Sequence, residues 1–189
     1  MQMQADEREL LRQVKKDPQA FAVIYEQYYN AIFSYAFRRL VNYDLARDIT
    51  AECFLKAFQK IDSFAWRNIP VSAWLFRIAT NEINLYFRNS KKYRPAFVNE
   101  SYLFQMPYDE GIEREKEAMQ KALDETAEFV TIQKQLSNLD GKYQDVIALR
   151  FFEEKSLKEI ATILNKKEGT IKSLLSRGLK KLKIAIENG

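Results

Sequence analysis

The sequence predicts an all-α protein built from two small helical domains joined by an acidic linker. Only five Gly and four Pro occur among 189 residues, so the residues that usually separate short strands are scarce. Apolar residues recur at helical spacing towards both ends of the chain. Between these stretches, residues 99–130 carry nine acidic side chains and three basic ones. We therefore expect a first domain at residues 1–94, a linker at 95–130 and a second domain at 131–189.

The first domain is expected to contain four helices. A short helix is predicted at residues 6–15, and Asp17 followed by Pro18 predicts the next start, because Asp is a favoured N-cap and Pro a favoured first helical residue. That second helix should end near residues 40–42, and a third should begin near Tyr43. A loop at residues 62–72 interrupts the periodicity, and Ser72 is predicted to cap the fourth helix. In the second domain, Asp140 is predicted to cap the helix that precedes the last helix pair.

The composition excludes several classes of function. The sequence has no His and a single Cys, Cys53, which excludes a histidine-based triad, a Cys/His zinc site and an internal disulfide. It also has no phosphate-binding loop and no Gly-rich nucleotide motif, so we expect neither an enzyme nor a bound metal or cofactor. The N-terminus is charged and no apolar run reaches the length of a membrane span. We therefore expect a cytoplasmic protein.

The segment at residues 156–173 predicts a helix-turn-helix. Ser156 and Glu159 have the spacing of a capping box, and Asn165 suits the end of the first helix because it tolerates left-handed backbone. The second helix is expected to turn five residues inward: Ile171, Leu175, Gly178, Leu179 and Leu182. Its other face offers donors suited to phosphates and base edges of duplex DNA: Thr170, Lys172, Ser173, Ser176, Arg177 and Lys180. Glu168, where this helix is expected to start, is also a candidate DNA-binding residue. Nine Lys and Arg against two Glu at residues 155–183 favour DNA binding over an ordinary solvated helix pair.

A second cluster of cations lies at residues 64–97. Six Arg or Lys oppose a single Glu there, and eight aromatic residues are interleaved with them. Aromatic rings that stack on bases, beside cations that follow the backbone, are typical of single-stranded nucleic-acid binding. The alternative is that most of these rings belong to the core, as is expected for Trp74 and Phe76 at least in part. Phe64, Trp66 and Tyr93, in the expected loop or tail, are harder to bury.

The order of these features resembles the extracytoplasmic-function group (group IV) of bacterial sigma factors in the sigma-70 family, which keeps the second and fourth conserved regions. Residues 17–28 match the opening of region two, and residues 44–58 with 72–81 resemble its centre. Residues 139–182, including Gly169 to Ser173, resemble region four. The resemblance implies that residues 1–94 bind polymerase and the minus-ten promoter element, and that residues 131–189 bind the minus-thirty-five element.

The resemblance also implies partners and roles. The partners are core RNA polymerase, promoter DNA and an anti-sigma factor. The third helix would dock on the clamp helices of the beta-prime subunit through Asp44, Asp48, Glu52, Phe54 and Lys56. The loop and the fourth helix would open and read the minus-ten element through Phe64, Trp66, Arg67, Asn68, Arg77, Asn81, Asn84 and Arg88. The last helix would read the minus-thirty-five element, and the helix at residues 143–152 would rest on the beta flap.

Two departures from the family pattern stand in the last helix. Leu174 occupies a position where the family commonly has Arg, which puts a base contact there in doubt because Leu cannot donate a bidentate hydrogen bond. Gly178 occupies a position where Ala is common, at a cost in helix propensity of up to about 1 kcal/mol. The alternative function is a free-standing helix-turn-helix regulator whose first domain senses or dimerises. Such a regulator would bury the aromatic surface of residues 64–93 in a dimer.

Overall fold

The computed structural model describes residues 2–64, 69–89 and 127–188. Strands are absent from these residues, so the all-α prediction is confirmed for the part of the chain they cover. A 3-10 turn (Pro18–Ala20) precedes the second helix, and a π-helical turn (Ala148–Phe152) continues the sixth. The α-helices in the described ranges are α1 (Gln2–Lys16), α2 (Phe21–Leu40), α3 (Tyr43–Lys60), α4 (Val71–Asn89), α5 (Ala127–Ser137), α6 (Gly141–Ile147), α7 (Leu157–Leu164) and α8 (Glu168–Glu187).

The helix starts of the first domain follow local rules with one exception. The Asp17 carboxylate accepts a hydrogen bond from the Gln19 N–H at 3.0 Å, as predicted, although the first turn it caps is 3-10 in form. The Asn42 side chain accepts from the Leu45 N–H at 2.9 Å and starts α3. The predicted cap Ser72 lies inside the first turn of α4 instead. The Pro70 carbonyl already accepts the Trp74 N–H at 3.1 Å, so the helix begins at Val71, two residues earlier than a cap at Ser72 predicts.

The core of the first domain lies between α2, α3 and α4, with α1 packed beside them. Aliphatic and aromatic side chains from each helix are removed from water, and each buried side chain contributes about 1.5–3 kcal/mol to stability. The innermost of them are Ile24, Ile32, Tyr35, Cys53, Leu75, Phe76 and Ile83. The outward face of α3 remains available for contacts with other molecules, whereas that of α4 turns partly towards the second domain.

The second domain consists of α5 to α8 around a smaller core that includes Leu136, Val146, Leu149, Ile160, Ile163 and Ile171. Helix α5 begins at Ala127, so one helix crosses the predicted boundary at residue 131. The remainder of the predicted linker, residues 95–126, lies outside the described residues. Asp140 stands at the N-cap of α6 as predicted, but its backbone carbonyl rather than its side chain accepts the N–H of Tyr143, at 2.8 Å.

The two domains pack against each other. Helix α4 contacts α7, and α2 contacts both α5 and the π-helical turn. The helix-turn-helix is therefore placed against the helix that the sequence singled out as a reader of single-stranded DNA. No helix within the described ranges is both long and apolar enough to cross a membrane.

Candidate nucleic-acid and polymerase interfaces

The helix-turn-helix is held by the local contacts that its sequence predicts. Ser156 Oγ accepts the Glu159 N–H at 3.2 Å, and Glu159 Oε2 accepts the Ser156 N–H at 2.8 Å, which completes a capping box. Burial acts to raise the pKa of Glu159, but the hydrogen bonds with Ser156 and the charge of Lys155 together outweigh it and lower that pKa below its ordinary value. Asn165 has φ 51° and ψ 50°, in the left-handed region, and ends α7. The short turn that follows starts α8 at Glu168.

Gly178 sets how closely α8 approaches α6. A Cβ atom at this position would lie 3.2 Å from Ile147 Cδ1 and 3.2 Å from Tyr143 Cβ, closer than such atoms ordinarily pack. Ile147 could rotate its terminal methyl group away, but the Tyr143 Cβ is fixed to the backbone. The departure from Ala therefore has a packing reason: glycine lets the two helices meet at this point.

Most of the predicted minus-thirty-five residues lie together on one exposed face of α8. Thr170, Lys172, Ser176, Arg177 and Lys180 are exposed, and Ser173 is half-buried. Two contacts along the helix hold side chains on this face. Arg177 Nη2 donates to Ser173 Oγ at 2.6 Å, and the Lys172 ammonium lies 3.0 Å from the Glu168 carboxylate. The face thus presents hydroxyl and cationic donors in an extended row.

Leu174 does not lie on this face. It is only 9% exposed and belongs to the buried side of α8, whereas Leu179, which was expected to point inward, is 38% exposed. The concern that Leu174 removes a base contact was therefore misplaced, because the position faces the domain core. Two adjacent leucines at 174 and 175 made either phase of the helix plausible from sequence.

The predicted minus-ten residues of α4 border the second domain. Arg77 Nε donates to the Ile163 carbonyl at 3.2 Å, and its Nη2 donates to the Thr162 carbonyl. Asn81 and Asn84 are exposed to solvent but line a cleft of about 470 Å³ between the domains. The lining residues of this cleft are Arg77, Thr80, Asn81, Asn84, Lys142, Asp145, Ile163, Leu164, Asn165 and Lys166. Arg88 is exposed near the end of α4 and is not among them.

The predicted loop pocket is described only at its first residue. Phe64 is half-buried and stacks on Trp74, with ring centroids 4.2 Å apart and planes tilted by 23°. Trp66, Arg67 and Asn68 lie outside the described residues, as does Tyr93. A contact that the sequence did not suggest holds the start of the loop: Lys15 Nζ donates to the carbonyls of Asp62 at 3.0 Å and Phe64 at 3.3 Å. Helix α1 thereby supports the loop that follows α3.

The predicted polymerase-binding residues of α3 divide into two groups. Asp44 and Asp48 are exposed, while Glu52 is half-buried and lies 3.1 Å from the Lys56 ammonium. Lys56 also lies 2.5 Å from Glu82 of α4, and this hydrogen bond is the main reason that the pKa of Lys56 is raised. Lys56 therefore joins α3 to α4 as well as facing the surface.

Phe54 is a correction to the predicted set. It is 3% exposed, and its ring packs against Phe21, Tyr25 and Tyr29 at centroid distances of 6.5, 4.9 and 6.3 Å. It is a core residue, because the turn of α3 that carries it faces α2. The exposed apolar residues on this helix are instead Leu55 at 50% and Phe58 at 42%. These two residues were not predicted as part of the polymerase interface, although large apolar side chains on an otherwise polar face indicate a binding surface.

Comparisons with known proteins agree with this organisation. Residues 24–93 match the family model of sigma-70 region 2, and residues 129–182 match that of sigma-70 region 4. The chain is 34% identical over 182 residues to the ECF RNA polymerase sigma factor SigW of Bacillus subtilis (strain 168), covering 92% of each protein. The solved structure of CnrH in complex with the cytosolic domain of CnrY is similar at a TM-score of 0.67 and 19% identity, covering 96% of this chain and 97% of that one.

A second solved structure, the sigma factor RpoE in complex with the anti-sigma factor NepR from Bartonella quintana, has a TM-score of 0.65 at 23% identity. It covers 88% of this chain and 96% of that one. These likenesses support the fold, and the identity to the Bacillus protein supports the family. The chain therefore belongs to the extracytoplasmic-function sigma factors of the sigma-70 family, which direct RNA polymerase to promoters.

Proposed function

We propose that this sigma factor binds core polymerase and the two promoter elements through three separate surfaces. The outer face of α3 binds core RNA polymerase at the beta-prime clamp helices, α8 reads the minus-thirty-five element as duplex, and α4 with the preceding loop opens and holds the minus-ten element. The protein acts in the cytoplasm with polymerase and catalyses no reaction itself. The helix at residues 143–152 rests on the beta flap.

The exposed face of α8 is the observation that carries this proposal. Thr170, Lys172, Ser176 and Arg177 project from one side of a helix that is anchored on its other side by Ile171 and other buried residues. A major groove about 12 Å wide admits such a helix, and its base edges offer acceptors to hydroxyl and guanidinium donors. Lys180 and Lys172 add the positive charge that phosphate contacts require.

The face of α3 supports the polymerase contact. Its exposed acids, Asp44 and Asp48, lie on the same helix as the exposed Leu55 and Phe58. Apolar area surrounded by charge is typical of protein interfaces, in which a buried centre supplies affinity and a charged rim supplies orientation. Asp48 and Leu55 are two turns apart, so one partner helix can contact both.

We further propose an anti-sigma partner that covers this face of α3. The two solved relatives described above were determined in complex with the cytosolic domain of CnrY and with the anti-sigma factor NepR. Tyr25 of α2, 43% exposed, lies beside Phe54 and extends the apolar area available to such a partner. A protein that covers it prevents docking on polymerase.

The alternative of a free-standing regulator has less support. Such a protein needs the aromatic surface of α4 for dimerisation, yet Phe76 is already 1% exposed within the monomer and Trp74 is stacked on Phe64. No feature of the described residues favours it specifically.

In vitro transcription with core bacterial RNA polymerase on a promoter library tests the proposed function. Transcripts that appear only with this protein, and that share two upstream elements at fixed spacing, are the expected result. Asp48→Ala should reduce them by weakening polymerase binding, while Gln13→Ala, at an exposed position of α1 outside the three proposed surfaces, should leave them unchanged. Duplex binding without polymerase, combined with no start-site selection in its presence, would favour the free-standing regulator.

A further inference from the structure

A buried ion pair joins the two domains. Arg39 of α2 donates from Nε to Asp145 Oδ1 of α6 at 2.8 Å, and the two side chains are 1% and 7% exposed. The Tyr35 hydroxyl donates to the same Asp145 oxygen at 3.3 Å and lies 2.9 Å from Thr80 Oγ1 of α4. Arg39 Nη1 also donates to Gln144 Oε1. This network therefore connects three helices across the domain interface.

A buried ion pair of this kind is stable when its two charges are in contact or when both are in water, but not in between. Burial alone would lower the pKa of Arg39, but the neighbouring Asp145 charge reverses this effect and leaves that pKa raised, so the guanidinium stays charged. Removing one partner leaves the other as an uncompensated buried charge, which is strongly unfavourable. Separating the domains returns both charges to water. The pair thus penalises partial opening and tolerates complete opening.

Some buried polar atoms at the domain interface also lack hydrogen-bond partners, which favours a reversible contact between the two domains. Among the described residues, two buried side-chain polar atoms have no hydrogen-bond partner, Arg39 Nη2 and Gln133 Oε1. Both belong to residues that bridge the domains, since Gln133 Nε2 of α5 donates to the Arg38 carbonyl of α2 at 2.6 Å. An unpaired buried polar atom retains its desolvation cost until the interface opens. The closed arrangement of the domains is therefore stabilised by the ion pair and destabilised by the unpaired polar atoms, so that it can both form and open.

Closure occupies part of one proposed DNA surface and leaves the other free. The Arg77 guanidinium is occupied by the carbonyls of Thr162 and Ile163 in α7, whereas Asn81 and Asn84 are exposed to solvent within the cleft that Lys142 and Lys166 also line. The reading face of α8 remains exposed in the same structure. A duplex of minus-thirty-five DNA can therefore reach α8 while Arg77 of α4 is still held by the second domain.

Simultaneous reading of both elements requires the domains to separate. Elements named minus ten and minus thirty-five lie about 25 base pairs apart, or roughly 85 Å along B-form DNA at about 3.4 Å per pair. Domains that touch through α4 and α7 cannot bridge that distance. The 37 residues between Asn89 and Ala127 can span at most about 120 Å, at about 3.3 Å each. The chain connecting the domains is thus long enough to permit the opening.

We propose that Arg39 and Asp145 form the latch of a closed state in which the second domain occupies Arg77 and confines the minus-ten face of α4 to a narrow cleft, while the reading face of α8 stays free. This inference rests on the proposed function, because it takes α4 and α8 as the two readers. The closed state lets the free protein hold duplex DNA but not the single-stranded element. Contact with polymerase and both promoter elements favours the open state.

Distances between spin labels in the full chain test the latch. The labels are placed at Glu26→Cys in α2 and Asn188→Cys after α8, both exposed, in a Cys53→Ala background. The parent should give one short, narrow distance distribution, and Asp145→Asn should shift it to longer and broader distances. The apolar pair Arg39→Met with Asp145→Leu removes both charges and should return the distribution towards the short one. Lys183→Met, which removes an exposed ion pair within α8, should change nothing.

Binding by the free protein supplies the second readout. The probes are a fluorescein-labelled single strand carrying the minus-ten element found by transcription, and a duplex carrying the minus-thirty-five element. If one molecule in ten is open, Asp145→Asn should tighten single-strand binding about tenfold, because apparent affinity scales with the open fraction. Duplex binding should stay within about twofold, which also shows that the variant's second domain is folded.

The outcomes separate the latch from the proposed function. Core-dependent transcription, together with unchanged label distances or unchanged single-strand affinity in Asp145→Asn, overturns the latch and leaves the sigma assignment of the two surfaces intact. Absence of core-dependent transcription from both parent and variant overturns the proposed function instead. If Asp145→Asn also loses duplex binding, the double variant Arg39→Met with Asp145→Leu is measured in its place. The latch requires this double variant to give the short distance between the two labels.

Discussion

Two residues one turn apart on α8 should give opposite phenotypes. Leu174 is 9% exposed on the buried side of the helix, and Arg177 is exposed on the reading face, where its Nη2 contacts Ser173 Oγ at 2.6 Å. Leu174→Ala should lower the free energy of unfolding of the second domain by about 2–3 kcal/mol, the lower part of the range for buried leucines, because the site lies near the surface. Arg177→Ala should change that free energy by less than about 0.5 kcal/mol.

DNA binding should show the reverse. Arg177→Ala should weaken binding to minus-thirty-five duplex by about 1–3 kcal/mol if the guanidinium contacts a base, with relaxed specificity at that base pair. If it contacts a phosphate, binding should weaken on all sequences and the salt dependence should fall by about one counterion. Leu174→Ala, measured where the domain is fully folded, should bind with nearly the parent affinity.

Two measurements decide between these residues. Hydrogen exchange of the α8 amides, followed by mass spectrometry, reports the stability of the second domain, and fluorescence anisotropy with a labelled duplex reports affinity. Leu174→Met is the matched control, since a volume-conserving change should cost less than about 1.5 kcal/mol. Equal loss of DNA affinity in both alanine variants, with unchanged exchange in Leu174→Ala, would refute the helix phase described here.

Three further predictions concern local packing. Ser156→Ala should destabilise the second domain by about 1 kcal/mol, measured by exchange of the α7 amides, and an equal stability in the variant would show that the capping box contributes nothing. Gly178→Ala should be less stable than Gly169→Ala relative to the parent in urea unfolding, because a Cβ meets Tyr143 and Ile147 at 3.2 Å in the first case and nothing within 4 Å in the second. Burial raises the pKa of the Cys53 thiol to about 12, with Glu82 adding to the effect, so the thiol should resist a thiol-reactive reagent at pH 8 until the protein unfolds. The folded-state pKa lies above the ordinary value of 9.0, so this group favours the folded state below pH 9 and loses that effect as pH rises towards 12; rapid labelling of native protein at pH 8 would contradict the burial.

Features set by neighbouring residues were predictable from the sequence. The capping box of Ser156 and Glu159, the left-handed Asn165 and the Asp17 cap each depend on side chains within a few positions of the backbone groups they satisfy. Local rules apply because these contacts form in the same way in any helix. The row of donors on α8 was predictable for a similar reason, since polar residues at helical spacing are rarely buried without partners.

Features set by distant residues were not predictable. Ser72 was predicted to cap α4, but the N–H of Trp74 donates to the backbone carbonyl of Pro70, so the helix begins before Ser72. Phe54 and Phe58 are both apolar and one turn apart, and only the packing of α2 decides that Phe54 enters the core. Arg39 and Asp145 are 106 residues apart, and neither carries a local sign of the other. Each of these outcomes depends on tertiary contacts that no sequence window contains.

Site-specific photocrosslinking in the open promoter complex tests the central claim most directly. A photoreactive amino acid is placed at position 81 of α4 or at position 176 of α8, and the crosslinked DNA is mapped by primer extension. If α4 and α8 bind separate promoter elements, position 81 should crosslink to the single-stranded minus-ten element and position 176 to the minus-thirty-five duplex. Crosslinks from both positions to the same element would contradict it.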